Sequence, residues 1–293
     1  MDDRDWLAQR FETHRAHLRG VAYRMLGSVS EADDAVQEAW IRLSRSDPSE
    51  VENLRGWLTT VVGRVALNML RARRSRHEES LDVHVPDPIV QKRTGVDPEH
   101  EALIGESVGL AMLVVLDTLS PSERVAFVLH DVFGVPFEEI APIVGRTTTA
   151  ARQLASRARR RVQGAPVPDV DLDRQWAVVD AFLEAARGGD FERLLAVLDP
   201  EVVLRSDGGA TRPRLTSLVR GAPAVAKQAM GFRRFAGTWT RALVNGTPGG
   251  VAWAPRGSPF AVMALTVRAG RIAAIDVLAD PDRLGKLDLT VAG

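Results

Sequence analysis

Residues 120–162 constrain this chain more than any other stretch, because cap, turn and face signals all agree there on two helices joined tightly. Ser120-Pro121-Ser122-Glu123 offers an N-cap, a proline at the first helical position and a capping-box glutamate. Phe133-Gly134-Val135-Pro136 breaks that helix, after which Phe137, Ile140, Ala141 and Val144 recur at helical spacing and Gly145 supplies the freedom for a turn. Thr147 or Thr148 then caps the next helix. On it, Ala151, Leu154, Ala155, Ala158 and Val162 share one side, whereas Thr149, Gln153, Ser156 and Arg160 share the other, flanked by Arg152 and Arg157. The pattern is that of a helix-turn-helix whose second helix faces DNA, with Arg146, Thr147, Thr149, Arg152, Gln153, Ser156, Arg157 and Arg160 as candidate contacts. Gln and Arg can read base edges in the major groove, and arginines neutralise phosphates. The competing reading is a solvated basic helix in an ordinary bundle, which would not require caps, turn glycine and a small inner face together. Pro142 falls inside the first helix of the motif and should remove a backbone hydrogen bond.

A net charge of zero looks wrong for a nucleic-acid partner until charge is followed along the chain. Residues 146–170 carry six arginines against the single acid Asp169, while residues 78–145 carry thirteen acids against three basic residues. The local field matters more than the total. With 293 residues, 45% of them hydrophobic, the chain has room for two or three packed domains. It has no cysteine, and its six histidines lack ligand spacing, so neither a disulfide framework nor a metal is expected, and no cofactor is implied. The acidic start lacks an apolar signal core and no run approaches the ~20 apolar residues of a membrane span, which points to a cytoplasmic protein.

Residues 6–76 read as helical. The helix at 30–43 should bury Ala32, Val36, Ala39 and Leu43, leaving Asp34, Gln37, Glu38 and Ile41 outward. An apolar Ile among acids suggests a protein contact, although single exposed apolar residues are common. The helix at 53–74 should bury Leu54, Leu58, Val61, Val65 and Met69. Along its flank Trp57, Thr60, Arg64, Asn68 and Arg71 form a stripe, with Arg55, Arg73, Arg74 and Arg76 adding charge and no acid between residues 54 and 76. An aromatic ring beside arginines suits unstacked bases and strand phosphates; a lone Trp at a helix border is also common core material.

Composition divides the chain into residues 1–77, a Pro- and acid-rich linker at 78–98, helices at 99–164, a second linker at 165–170 and a part of different texture at 171–293. That last part opens with a helix carrying Trp176, Val179, Leu183 and Ala186 on one face. Short β-prone runs follow at 202–205, 242–245, 251–254, 260–267 and 272–278, the last two joined as a hairpin at 268–271. Two all-α parts and one α+β domain are expected.

Asp33-Asp34-Ala35-Val36-Gln37-Glu38-Ala39-Trp40, Leu54-Arg55-Gly56-Trp57-Leu58, Ser120-Pro121-Ser122-Glu123-Arg124 and the 151–159 helix together resemble the extracytoplasmic-function sigma factors of bacterial transcription. The resemblance covers residues 6–163. It implies that Asp33, Asp34, Gln37, Glu38 and Ile41 dock on the β′ clamp helices of RNA polymerase core. It implies that the helix with Arg55, Trp57, Thr60, Arg64, Asn68, Arg71, Arg73 and Arg74 opens the minus-ten promoter element, and that the 147–161 helix reads the minus-thirty-five element. No catalysis is implied. Two weak contacts on a flexible tether at 77–98 would bind strongly only when the polymerase fixes their spacing.

Residues 171–293 resemble a SnoaL-like domain, the cone-shaped fold shared with nuclear transport factor 2, as carried by one subgroup of these factors. The likeness is close at Asn245-Gly246-Thr247-Pro248-Gly249, Gly270-Arg271-Ile272 and Asp280-Pro281-Asp282-Arg283-Leu284. An Asp-Gly-Gly-Gly-Lys motif of the subgroup appears as Asp207-Gly208-Gly209-Ala210-Thr211, and its linker motif Trp-Leu-Pro-Glu-Pro as His84-Val85-Pro86-Asp87-Pro88. The resemblance implies a fused regulator that docks on the rest of the chain, with Asp207, Gly208 and Gly209 as candidate contact. Asp207-Gly208-Gly209 reads equally as a strand-ending turn.

Two alternatives stand beside this. The domain could be an isomerase or cyclase, or bind a small apolar ligand, since such cones often enclose a pocket; but every histidine lies before residue 131 and the one tyrosine is Tyr23, leaving only carboxylates such as Asp207 and Asp276. A ligand-sensing helix-turn-helix regulator would also need the 120–162 motif, though not the first seventy residues.

Overall fold

The computed structural model describes residues 3–46, 53–76, 83–92, 109–232 and 238–290. The ends of the 78–98 linker lie outside the described residues; its middle, 83–92, does not. Two compact units emerge, and they do not follow the compositional breaks. Among the described residues, 115–164 group with 3–46 and 53–76, while 83–92 and 109–114 group with 165–232 and 238–290.

In the first unit, α1 (Asp3–Leu26), α2 (Val29–Leu43) and α3 (Leu54–Arg76) pack mutually. Ser28 caps α2 from outside the expected start, and the buried face of α2 is Ala32, Ala35, Val36, Ala39 and Leu43. α3 departs from expectation. Besides Leu54, Leu58, Val61 and Val65 it buries Val62, Ala66, Leu67 and Leu70, a second apolar face, while Met69 is only half-buried. The second face exists because α3 also packs against the helix-turn-helix. That module consists of α5 (Pro121–Phe127), which widens into a π-helical turn over Val128–Val132, then α6 (Phe137–Val144) and α7 (Thr148–Val162). It is preceded by α4 (Leu110–Asp117), whose last residues belong to this unit. Gly63 lies in this contact: a Cβ there would stand 3.2 Å from Leu129 Cδ1 and 3.7 Å from Ile143. The expectation of two separately tethered helical modules is therefore replaced by one shared core, because α3 is apolar on two sides and a periodicity reading credits only one.

The caps fall where the sequence puts them. Ser120 and Glu123 form a reciprocal capping box, and Thr147 Oγ1 accepts the Ala150 N–H at 3.2 Å. Gly145 ends α6 at φ 68°. Pro142 sits inside α6 on its exposed side, as does Glu138, whose carbonyl the proline cannot serve and which solvent can.

In the second unit, α8 (Leu172–Gly188), α9 (Phe191–Val197) and α10 (Ala222–Phe232) cover one face of a sheet built of β1 (Val90–Gln91), β2 (Leu198–Asp207), β3 (Ser217–Arg220), β4 (Thr238–Val244), β5 (Thr247–Trp253), β6 (Pro259–Arg268) and β7 (Arg271–Leu278). The strand order is β1-β4-β5-β6-β7-β2-β3, with β2 and β7 parallel and the other neighbours antiparallel. This is the α+β architecture expected of a SnoaL-like domain. Its core joins Trp176, Val179, Phe182, Leu194, Val225 and Ala226 to Leu204, Leu265, Ile275 and Val277. Val179 and Phe182 carry the buried face of α8, with Leu183 and Ala186 at its border. The β6–β7 hairpin turns through Ala269 and Gly270, both left-handed, and Asp169 pins it by accepting both their N–H groups at 2.8 and 2.9 Å.

Strands β1 and β3 and helix α10 were not anticipated from the sequence. β1 is the surprise, since it comes from the supposed tether: Val90 and Gln91 pair with Val244 and Leu243 at the edge of the sheet.

Candidate nucleic-acid interface

On α3 the expected stripe is presented outward. Arg64, Asn68 and Arg71 are exposed, Trp57 and Thr60 half-buried. Arg55 is exposed too, its Nη2 3.3 Å from His17 Nδ1. Burial, with the charges of Arg55, His14 and Arg24, lowers the His17 pKa to about 4, so the ring is neutral at pH 7 beside this basic track. Arg73 is different. Its guanidinium is engaged by Glu31 and by the Leu26 carbonyl, which ties α3 to the α1–α2 corner and takes it away from the stripe.

On α7, Thr149, Arg152, Gln153, Ser156, Arg157 and Arg160 are all exposed, and Ala151, Leu154, Ala155, Ala158 and Val162 all buried. Arg146 and Thr147 lie exposed at the turn before it. Two of these arginines have acid neighbours: Arg152 lies 3.3 Å from Glu138, and Arg157 3.3 Å from Glu123. Burial raises the Glu123 carboxyl, but hydrogen bonds from Ser120 and the charges of Arg161 and Arg157 outweigh it and hold the carboxyl below its ordinary range. Arg124 and Asp117 form an almost fully buried ion pair that sequence reasoning did not single out.

On α2, Asp34 and Gln37 are exposed, Glu38 pairs with Arg42 at 2.9 Å, and Ile41 is half-buried. Asp33 is held by Arg19 at 2.5 and 3.0 Å. The acidic face therefore retains Asp34 as its unengaged carboxylate among the described contacts.

The Asp207-Gly208-Gly209 motif serves as both turn and contact. Gly209 is left-handed at φ 59°, and a Cβ there would collide with the Asp280 carboxylate. Its N–H donates to Asp207 Oδ1 at 3.0 Å, orienting the carboxyl. Asp207 Oδ2 then accepts the Val85 N–H at 3.1 Å and Arg283 Nη1 at 2.8 Å, with His84 Nδ1 at 3.3 Å. Arg283 also donates to the Val85 carbonyl at 2.5 Å and, through Nε, to Asp87 at 2.7 Å. Burial pushes the Asp207 carboxyl up, yet hydrogen bonds from His84 and Val85 and the charge of Arg283 bring it down to about 2. At the other end, Asn245 exchanges two bonds with Ile89, its Oδ1 accepting at 3.0 Å and its N–H donating at 2.9 Å. Residues 85–91 thus cross the sheet from β2 to β4. Arg283 and Asn245 were missed as contacts, although both stand in motifs the sequence marked.

Asp276, the other candidate carboxylate for catalysis, alternates with Ile275 and Val277 and so faces away from the helix-covered core. It is buried against Arg205 at 2.7 Å, and burial raises its pKa. Neither Asp207 nor Asp276 offers a free base to the interior of the cone.

Comparison with known proteins gives a consistent result. The family model Sigma-70 region 2 matches residues 10–76, and Sigma-70, region 4 matches residues 110–162. A Mycobacterium tuberculosis (strain ATCC 25618 / H37Rv) protein named ECF RNA polymerase sigma factor SigJ is 38% identical, over 93% of this chain and 91% of its own length. Another, from Mycobacterium tuberculosis (strain CDC 1551 / Oshkosh) and named Probable ECF RNA polymerase sigma factor SigI, is 35% identical over the full length of both. The crystal structure of the Mycobacterium tuberculosis extracytoplasmic function sigma factor SigJ superposes with a TM-score of 0.79 at 34% identity, covering 96% of this chain and 99% of that one. No helix among the described residues is long and apolar enough to cross a membrane.

Proposed function

Because the chain belongs to the extracytoplasmic-function RNA polymerase sigma factors, we propose that it seats on RNA polymerase core through the α2 face and works in the cytoplasm on promoter DNA. Asp34, Gln37 and Glu38, with Ile41 at their border, meet the β′ clamp helices. The α3 stripe from Trp57 to Arg71 holds one strand of the minus-ten element, and the outward face of α7 reads the minus-thirty-five element. The observation that carries this reading is the simultaneous exposure of the two cationic tracks on segments matching the two sigma regions.

The mechanism is physical. Melting costs roughly 1–2 kcal/mol of stacking per base-pair step, which captured bases and phosphate contacts must offset. The two elements, by their names, lie roughly 25 base pairs apart, about 85 Å at 3.4 Å per step. A globule the size of the first unit has a radius of gyration of about 14 Å. The shared core of α3 with α5 and α6 must therefore open before both elements are engaged, and docking of residues 85–91 on the sheet shortens the connection available for that opening. Regulation by the C-terminal domain follows from holding this linker.

Run-off transcription with purified core polymerase on the gene's upstream region tests the proposal. A discrete transcript dependent on the chain, lost on Arg64→Ala with Asn68→Ala, is expected; autonomous dimeric binding to a palindrome without polymerase would instead favour a conventional regulator.

A further inference from the structure

A cleft of about 330 Å³ opens in the first unit between the end of α3 and the start of α5, lined by Arg71, Arg74, Ser75, Ser120, Pro121 and Ser122. Its charged lining residues are all cationic. Arg71 and Arg74 stand three residues apart on one flank of α3, both exposed, and neither has an acid partner among the described residues. Neighbouring Arg73 differs, its charge being met by Glu31. Glu123, the carboxylate at this end of α5, is already shared among Ser120, Arg157 and Arg161. The lining residues thus include two arginines and three serines, and Arg157 and Arg161 of α7 reach Glu123, three residues beyond Ser120.

We propose that this cleft binds the diphosphate group of a small molecule, one guanidinium to each phosphoryl, with the Ser122 hydroxyl donating to a phosphoryl oxygen. Paired arginines recognise phosphate bidentately, and a volume near 330 Å³ is in the range of small-ligand sites. The site joins α3 to the start of α5, on the same helix that packs Gly63 against Leu129 and Ile143. A bound diphosphate strengthens the closed arrangement and withdraws Arg71 and Arg74 from the DNA track. That consequence rests on the function proposed above; the binding itself does not.

The test is titration calorimetry on the full chain with inorganic pyrophosphate and, separately, guanosine 5′-diphosphate, without DNA or polymerase. Saturable binding of pyrophosphate is expected, weakened at least tenfold by Arg74→Ala and abolished by Ser122→Asp. The aspartate suits the first turn of a helix, so that variant keeps its fold while placing a negative charge in the cleft. Tighter binding of the nucleotide than of pyrophosphate would mean that the nucleoside adds contacts to the same diphosphate site. Binding of the nucleotide alone, or pyrophosphate binding indifferent to both substitutions, overturns the proposal. Failure here leaves the run-off result untouched, and failure of run-off transcription leaves this binding measurable.

Discussion

Arg283 Nη1 stands 2.8 Å from Asp207 Oδ2, and the same guanidinium takes the carbonyl of Val85, whose N–H donates back to that carboxylate oxygen. Three groups from distant parts of the chain close a ring around one backbone amide. Removing Arg283 leaves a largely buried carboxylate without its cation, a change that costs about 2–5 kcal/mol in comparable charge pairs. Arg283→Ala should release residues 84–91. Hydrogen exchange at the Val85 and Ile89 amides should accelerate at least 30-fold while amides in β6 and β7 keep their protection; unchanged exchange at Val85 would contradict the assignment.

The same ring sets a pH window. Asp207 is lowered to about 2 from the ordinary aspartate value near 3.9, so its contribution is fully present above ~4 and lost as pH falls through about 2. The contribution of the Asp207 carboxylate to docking should be constant between pH 5 and 8. Protection of the Val85 amide, followed by exchange corrected for intrinsic rates, should show a collapse between pH 4 and 2, and Asp207→Asn should remove that transition.

Much of this was legible because local signals and tertiary structure agree. The Ser120–Glu123 box, the Thr147 cap and the inner face of α7 are each fixed by residues within a few positions of one another. What escaped depends on distant partners. β1 is a two-residue strand in a proline-rich stretch, and only Val244 and Leu243, some 150 residues on, make it a strand. Asn245 and Arg283 stood in marked motifs, yet their task could be seen only once residues 85–89 lay beside them. In α3, Val62, Ala66 and Leu67 lie outside the single apolar face that periodicity marks, because a helix buried on two sides has little amphipathic contrast.

Gly63 offers a direct handle on that second face. A Cβ at this position stands 3.2 Å from Leu129 Cδ1, so alanine is tolerated by a small shift, whereas a leucine must displace α5 or α6. Gly63→Leu should cost about 1–3 kcal/mol of packing without touching exposed Arg64 or Asn68. If the shared core is a closed state, this variant should raise transcript yield with core polymerase, and fluorophores on α3 and α7 should move apart. A variant that loses transcript in proportion to its helicity would show only unfolding.

His17 also makes the same core sensitive to acid, in a higher pH range than the one set by Asp207. Its pKa of about 4, against 6.5 for the free side chain, means that the unfolded chain takes up a proton first as pH falls. Stability is then lost between about 6.5 and 4, and is flat on this account above 6.5. The ring lies edge-on to Phe133, 5.3 Å between centroids, and 3.2 Å from Thr59 Oγ1, so protonation burdens the contact between α1, α3 and the end of α5. The melting temperature should fall from pH 7 to pH 5, and His17→Gln should flatten that slope while keeping a polar partner for Thr59. An equal slope in the variant would assign the acid sensitivity to another group.

Gln153 tests the reading face alone. It is exposed on the outward side of α7, between Thr149 and Ser156 and opposite the buried face of Ala151, Leu154 and Ala155. Gln153→Ala should leave the melting temperature within about a degree, since surface substitutions usually change stability by less than ~0.5 kcal/mol. A glutamine bidentate to adenine contributes about 1–3 kcal/mol of discrimination, so holoenzyme carrying this variant should lose preference at one base pair of the minus-thirty-five element. Arg160→Ala, on the proposed reading the loss of a phosphate contact on the same face, should instead weaken all sequences alike and lower the salt dependence by about one counterion. Measured by competition binding across a set of single-base promoter variants, equal behaviour of the two substitutions would mean that α7 grips the backbone without reading bases.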